Sequence, residues 1–153
     1  MSSEPSDPTG TLIGDTGDPS VKRPTLGSML LGTTNPARLL AWYRAAFGVE
    51  PDTDGFIDFG GVAVLIDHRD DVEATNPEPG RLILNFHVDD ARAIAARLDT
   101  IGVVWLAKLQ ARDDGQFATL IDSDGNYIQI IELNAEYLAA HSPSTGTAQS
   151  NAR

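Results

Sequence analysis

The chain has 153 residues, a formal net charge of −11 and no cysteine. This length provides for one ordinary domain with a single hydrophobic core. The lack of cysteine excludes disulfide bonds, thiolate metal sites and a cysteine nucleophile. No basic segment followed by an apolar run opens the sequence, and no stretch nears the roughly 20 apolar residues of a membrane span, so we expect a cytoplasmic protein.

The acidity belongs to the central region and not only to the ends of the chain. Residues 26–134 contain 8 Lys and Arg against 17 Asp and Glu, a balance of −9. Such a surface repels phosphate backbones and anionic lipids, so we expect neither nucleic acid nor a membrane as a partner. The sequence leaves two interpretations open: the charge keeps the protein soluble, or it attracts a cationic small molecule.

The chain divides into a folded region and two tails. Residues 1–25 are rich in Ser, Pro, Gly, Asp and Thr and have no apolar periodicity. Residues 135–153 are similar after one helical turn near Tyr137 and Leu138. Both segments are therefore predicted to be mostly disordered, with the folded domain at 26–134.

The folded region begins with a unit of one strand, one helix and further strands. An apolar strand at 26–34 leads into Asn35 and Pro36, a helix N-cap followed by proline at the first helical position. Apolar residues then recur at helical spacing as far as Gly48, where a left-handed C-terminal residue is expected. The strands expected after this helix are 49–53, which is weakly marked, 55–59 and 62–67.

The same unit occurs a second time. A strand at 82–88 is followed by the capping residues Asp89 and Asp90 and by an apolar helical stripe that ends before Gly102. The spacing from Asp89 to Gly102 equals that from Asn35 to Gly48. The strands expected after this helix are 103–108, 117–122 and 127–133.

Two such units predict an α+β domain with modules at about 26–75 and 81–134. Each module would place one helix on the convex side of a curved mixed sheet and leave the other face concave. Ligand pockets are concave surfaces of this kind. The pattern therefore predicts a small-molecule pocket.

Three segments resemble a known family: LGSMLLGTTNPARLLAWYRAAFG, LILNFHVDDARAIAARLDTIGV and ATLIDSDGNYIQIIEL. Together they resemble the vicinal oxygen chelate superfamily, which is the group of glyoxalases, bleomycin-resistance proteins and extradiol dioxygenases. The run DSDGN is similar to the Asp-Pro-Asp-Gly-Asn turn of that family, with Ser123 in place of proline. The resemblance covers residues 26–134 and implies paired βαβββ modules and a homodimer.

The resemblance also implies where a divalent metal ion would be bound, on the first and last strands of the modules. The usual histidine, histidine and glutamate are replaced here by Ser28, Ile83 and Gln129. A fourth position falls on Leu65 or Asp67, depending on the strand register. Because a hydroxyl, an aliphatic chain and an amide are poor ligands, we expect a degenerate metal site and no cofactor.

An alternative keeps a metal ion at a displaced position. If successive side chains of this strand alternate between the two faces of the sheet, His87 lies on the same face as Ile83 and Asn85. A site four residues deeper would then combine His87, Asp67 and Gln129. The protein would be a metal-dependent lyase, isomerase or dioxygenase of the same superfamily.

Several side chains are candidates for contacting a ligand on the concave face. His87 would act as a hydrogen-bond donor or general base, or would be satisfied by Asp89 or water. Asn85 and Gln129 would anchor a ligand or hydrogen-bond each other across neighbouring strands. Trp105 would stack on the ligand or pack against the second helix. The complete predicted pocket is Ser28, Leu30, Leu65, Asp67, Asn85, His87, Trp105 and Gln129.

These observations favour a metal-independent protein that binds a small organic or antibiotic-like molecule. The enzyme with a displaced metal site stays open as an alternative, as does an interaction or regulatory subunit with a vestigial cavity. No catalytic residue is assigned, and the sequence does not identify the ligand.

Overall fold

The computed structural model describes residues 17–142, which form two sheets and three helices. In chain order the elements are β1 (Ser28–Thr33), α1 (Pro36–Phe47), β2 (Phe56–Asp58), β3 (Ala63–His68), β4 (Leu84–His87), α2 (Ala91–Thr100), β5 (Val104–Arg112), β6 (Gly115–Ile121), β7 (Tyr127–Leu133) and α3 (Ala135–His141). The predicted α+β class is confirmed. None of the helices formed by residues 17–142 is long and apolar enough to cross a membrane.

Each module contributes one sheet. The first sheet has the strand order β1-β3-β2, and the second has the order β4-β7-β6-β5. In both modules the first strand runs parallel to the last one, and the remaining pairs are antiparallel. The sheets therefore share one topology, but the first sheet lacks an outer strand.

The prediction of a strand at 49–53 is wrong: these residues form no strand, and a turn at 52–55 is closed by the Gly55 amide, which donates to the Asp52 carbonyl. The Asp52 amide donates to the Phe56 carbonyl at 2.8 Å, and the Asp52 carboxylate accepts the amides of Asp54 and Phe56, both at 2.9 Å. A side chain that binds nearby backbone donors competes with strand pairing. Pro51 has no amide hydrogen to contribute to a ladder.

The first helix begins and ends at the residues that the sequence marks. The Asn35 side chain accepts the amide of Arg38 at 3.1 Å, and Pro36 is the first helical residue. Gly48 adopts φ 64°, and its amide donates to the Arg44 carbonyl at 2.9 Å. This left-handed geometry favours glycine because a Cβ would be strained there.

The second helix has two carboxylates at its start. Asp90 is the N-cap, and its Oδ1 accepts the amide of Ala93 at 3.0 Å. Glu132, at the end of β7, accepts the amide of Ala91 through Oε1 at 3.0 Å. Two of the amides that a helix start leaves without intrahelical partners are thereby satisfied.

One hydrophobic core joins the two modules. Phe47 of α1 stacks on Phe86 of β4 with ring centroids 4.5 Å apart, and Phe59 packs edge-on against Phe86 at 5.0 Å. Arg97 of α2 donates to the carbonyl of Ala45 in α1. The buried residues of this core are Leu39, Tyr43, Ala46, Ala91, Leu98, Ala118, Leu120, Ile128 and Ile130.

The C-terminal turn expected near Tyr137 is a complete helix, α3. Asn134 caps it by accepting the Tyr137 amide at 2.7 Å. Asn134 also donates to the carbonyls of Asp113 at 2.8 Å and Asp114 at 2.9 Å, which fixes the helix start to the β5–β6 turn. Residues 17–27 contain no helix or strand, and the other parts of the predicted tails, 1–16 and 143–153, lie outside the described residues.

Candidate functional site

Each sheet has one face covered by helices and one face that is uncovered in the single chain, here called the open face. On the second sheet, Asn85 of β4 and Gln129 of β7 are register partners on the open face, with Thr119 of β6 on the next strand. Asn85 is exposed and Gln129 is half-buried. Within residues 17–142, no hydrogen bond joins the two amides. The row therefore offers uncharged donors and acceptors to an incoming molecule.

His87 lies on the same open face, at the end of β4 and beside Ile131 of β7. Its neighbours Phe86 and Val88 pack against the core, as strand alternation predicts. His87 is exposed and lines a groove of about 360 Å³ between the strand ends and α3. The described part of the chain gives the imidazole no hydrogen bond, from Asp89 or any other residue.

The first module places its predicted residues on one open face as well. Leu30 and Leu65 are register partners, and Asp67 lies opposite Gly32 further along the same strands. Ser28 has the same parity as Leu30, which is 50% exposed. Leu65 and Asp67 are two residues apart and so share the open face, and their pairing with Leu30 and Gly32 gives the strand register that the sequence left open.

Trp105 does not lie on an open face. It pairs with Leu120, which is fully buried, and packs against the core on the helix side of the sheet. Its indole Nε1 donates to Asp99 Oδ1 of α2 at 2.8 Å. This position matches the packing alternative for Trp105 and differs from the pocket position given to it above.

The residues considered for a metal site are distributed over both sheets. Ser28 and Asp67 belong to the first sheet, whereas His87 and Gln129 belong to the second. Ile83 is half-buried and directly precedes β4. Among residues 17–142, no three His, Asp or Glu side chains are grouped as a metal ion would require.

A buried polar cluster joins the DSDGN turn to α1, and sequence reasoning did not identify it. The Asp122 carboxylate accepts the Tyr43 hydroxyl at 2.9 Å, the Asn126 side-chain amide at 2.8 Å and the backbone amides of Asp124 and Asn126. Burial raises the pKa of Asp122 above its ordinary value, although these hydrogen bonds oppose the rise. Burial, together with the Asp122 charge, also raises the pKa of Tyr43 well above its usual range.

The same turn holds the segment that links the modules. Arg38 donates to Asp124 Oδ1 at 3.0 Å, although the Asp124 side chain is only 7% exposed. Asn76 donates through Nδ2 to Asn126 Oδ1 at 2.9 Å, and its amide donates to the Asp124 carbonyl at 2.8 Å. The quoted DSDGN motif was the available signal, but its distant partners were not readable from the sequence.

A second groove, of about 410 Å³, lies between this turn and the linker. Its lining includes Glu73, Glu78 and Asp71. Arg69 donates through Nε to Asp71 Oδ1 at 2.7 Å. At the surface beside the linker, His68 Nε2 lies 3.6 Å from Asp70 Oδ1. Both grooves adjoin the ends of the first strands of their modules.

Comparisons with known proteins give the family and the fold. A family model described as a glyoxalase-like domain matches residues 28–131. The comparison with curated protein sequences gave no match.

Three solved structures show the likeness in fold. The fosfomycin resistance protein FosX from Listeria monocytogenes is 14% identical, with a TM-score of 0.61 over 76% of this chain and 98% of that one. TnmS3, an antibiotic binding protein from Streptomyces sp. CB03234, is 18% identical, with a TM-score of 0.57 over 74% and 99%. TioX from Micromonospora sp. ML1 is 17% identical, with a TM-score of 0.57 over 72% and 100%.

At these identities the likeness shows a common fold and says nothing about a shared activity. The sequence match runs from the start of β1 to residue 131 within β7. The chain belongs to the glyoxalase-like domain family.

Proposed function

We propose that the protein binds a small organic molecule, without a metal ion, in clefts formed by the open faces of a homodimer. The observation that carries this proposal is the row formed by Asn85 and Gln129, which places neutral amides on an open sheet face. The apolar side chain of Leu30, on the open face of the first sheet, is 50% exposed in the single chain. Ligand pockets combine such apolar surface with a few polar groups that orient the ligand.

The donor chemistry supports a binding role without a metal. At the positions that the superfamily implies for metal ligands, Ser28 offers a neutral hydroxyl, Ile83 offers nothing and Gln129 offers an amide oxygen. This set does not fit a divalent ion, which needs several imidazole or carboxylate donors. Hydroxyl and amide groups instead suit hydrogen bonding to an uncharged part of a ligand.

The named fold neighbours support an antibiotic-like ligand. TnmS3 is an antibiotic binding protein, and FosX is a fosfomycin resistance protein. A protein that sequesters such a compound needs a shaped cleft and no catalytic group. The exposed amides and apolar residues of this chain would serve that role.

The first experiment is mass spectrometry of small molecules and metals that copurify with the full-length protein. We expect an organic molecule in near-stoichiometric amount and no tightly held transition metal. One equivalent of metal per chain, lost in His87→Ala, would instead favour the metal-dependent enzyme with the displaced site.

The second experiment blocks the cleft. Asn85→Trp adds a large side chain to the open face, so rebinding of the copurified molecule should weaken at least about tenfold by calorimetry. Arg92→Trp, at an exposed position of α2, adds the same side chain elsewhere and should bind as the native protein does. Equal binding by both variants would rule out this cleft as the binding site.

A further inference from the structure

The groove beside α3 has a floor and a wall of apolar side chains. Ile131 of β7 lies on the floor and is only 7% exposed, although its register partner His87 is exposed. Leu138 of α3 lines the groove and is 50% exposed. A molecule that entered the groove would therefore cover apolar surface that water now contacts, which favours binding.

The wall is held in place by the chain itself. Asn134 ties the start of α3 to the carbonyls of Asp113 and Asp114 and also accepts the Tyr137 amide. The groove measures about 360 Å³, which is within the range of small-molecule pockets. A preformed groove avoids the ordering cost of binding to a loose segment.

The polar end of the groove is negatively charged. Asp89 and Glu132 line it together with His87, and the described lining contains no Lys or Arg. The backbone amides at the start of α2 would otherwise attract an anion. Two of them are already hydrogen-bonded: the Ala91 amide donates to Glu132, and the Ala93 amide donates to Asp90. The electrostatic complement of this end is therefore a cation.

We propose that the α3 groove binds an amphipathic organic amine, with its apolar body against Ile131 and Leu138 and its ammonium group toward Asp89 and Glu132. His87 marks the junction with the open face, so the groove extends the cleft in which we place the ligand. This inference deepens the proposed function and rests on it. It gives the ligand a chemical class, a positively charged amine on an apolar frame.

The test uses three dansyl probes that share one apolar ring system. Dansylcadaverine carries a free amine, N-butyl dansylamide is uncharged, and dansyl-6-aminohexanoate carries a carboxylate. Dissociation constants are measured by fluorescence on the full-length protein at low salt. We expect the amine to bind more tightly than the neutral probe and the carboxylate to bind most weakly.

Two variants locate the probe in the groove. Asp89→Asn should weaken binding of the amine probe about threefold, as expected for the loss of a partly exposed ion pair, and leave binding of the neutral probe unchanged. Leu138→Ala should weaken both probes about fivefold by removing apolar contact. Asp70→Asn is the matched control, because the 97% exposed Asp70 side chain carries the same charge away from the groove.

Amine binding that is no tighter than neutral binding, or that changes equally in Asp89→Asn and Asp70→Asn, would overturn this inference. Its failure is distinguishable from failure of the proposed function. If Asn85→Trp abolishes binding of the copurified molecule while Asp89→Asn changes nothing, the cleft stands and the α3 groove is not part of it. If Asn85→Trp has no effect but the dansyl results are as expected, the groove binds amines independently of the proposed cleft.

Discussion

Asp122 shows how one residue can be both well bonded and electrostatically costly. Its carboxylate accepts hydrogen bonds from Tyr43, Asp124 and Asn126, yet the residue is only 4% exposed. Removing a carboxylate from water disfavours its charged form, and here burial outweighs the hydrogen bonds. The folded protein therefore binds the proton of Asp122 more tightly than the unfolded chain does.

This difference predicts a pH-dependent effect of Asp122→Asn. The raised folded pKa gives a stabilising contribution that is complete below the ordinary value of 3.8 and is lost as pH rises through the higher folded pKa. The free energy of unfolding of the native protein minus that of the variant should therefore fall as pH increases from about 3.5 to 7. Urea denaturation across this range measures the difference, and a constant difference would contradict the prediction.

Ser123 provides a second prediction at the residue scale. It occupies the second position of a turn that the Gly125 amide closes on the Asp122 carbonyl at 3.1 Å. Within the described residues its buried hydroxyl has no hydrogen-bond partner. Proline is favoured at the second position of such a turn and reduces the conformational entropy of the unfolded chain. Ser123→Pro should therefore raise the free energy of unfolding by about 0.5–1 kcal/mol. Ser123→Ala removes the hydroxyl alone, and a proline variant no more stable than the alanine variant would exclude a ring effect.

At the scale of elements, the pairing of β6 with β7 depends on a glycine at one position. Gly115 opens β6 with φ 157° and pairs with Leu133 of β7. A Cβ at this position would overlap the backbone carbonyl of Glu132. Because the overlapping atoms belong to the backbone, a change of side-chain rotamer cannot relieve the clash.

Gly115→Ala should therefore destabilise the protein by about 2 kcal/mol or more. Gly80→Ala is the matched control, because a Cβ at Gly80 meets nothing within 4 Å. Thermal unfolding followed by circular dichroism compares the two variants. Similar melting temperatures for both would show that the β6–β7 pair adjusts freely.

The elements themselves were largely predictable where backbone chemistry is local. The caps Asn35 and Asp90 and the terminal Gly48 and Gly102 mark the helices because their preferred geometry depends on the residue itself. The expected strand at 49–53 failed because one side chain, Asp52, redirected several backbone donors. A weak apolar pattern cannot reveal such competition.

At the scale of the whole molecule, the open faces carry apolar surface that a second chain would cover. Val104 and Leu106 on β5 are 57% and 50% exposed. We expect sedimentation equilibrium to give twice the chain mass of 16.3 kDa. Val104→Lys should shift this equilibrium toward the single chain, because it would place a charge in the interface. A single-chain mass for the native protein at micromolar concentration would exclude the homodimer.

The sequence by itself determined the repeated unit, the helix boundaries and the family, because caps, periodicity and turn residues act over short distances. Through its resemblance to the superfamily, the sequence also predicts that Ser28, Ile83 and Gln129 occupy the positions of the usual metal ligands. Only the tertiary structure decided that Leu65 pairs with Leu30 and Asp67 with Gly32, and that Trp105 packs against α2. These outcomes depend on strand register and on contacts between distant segments, which the local pattern does not specify.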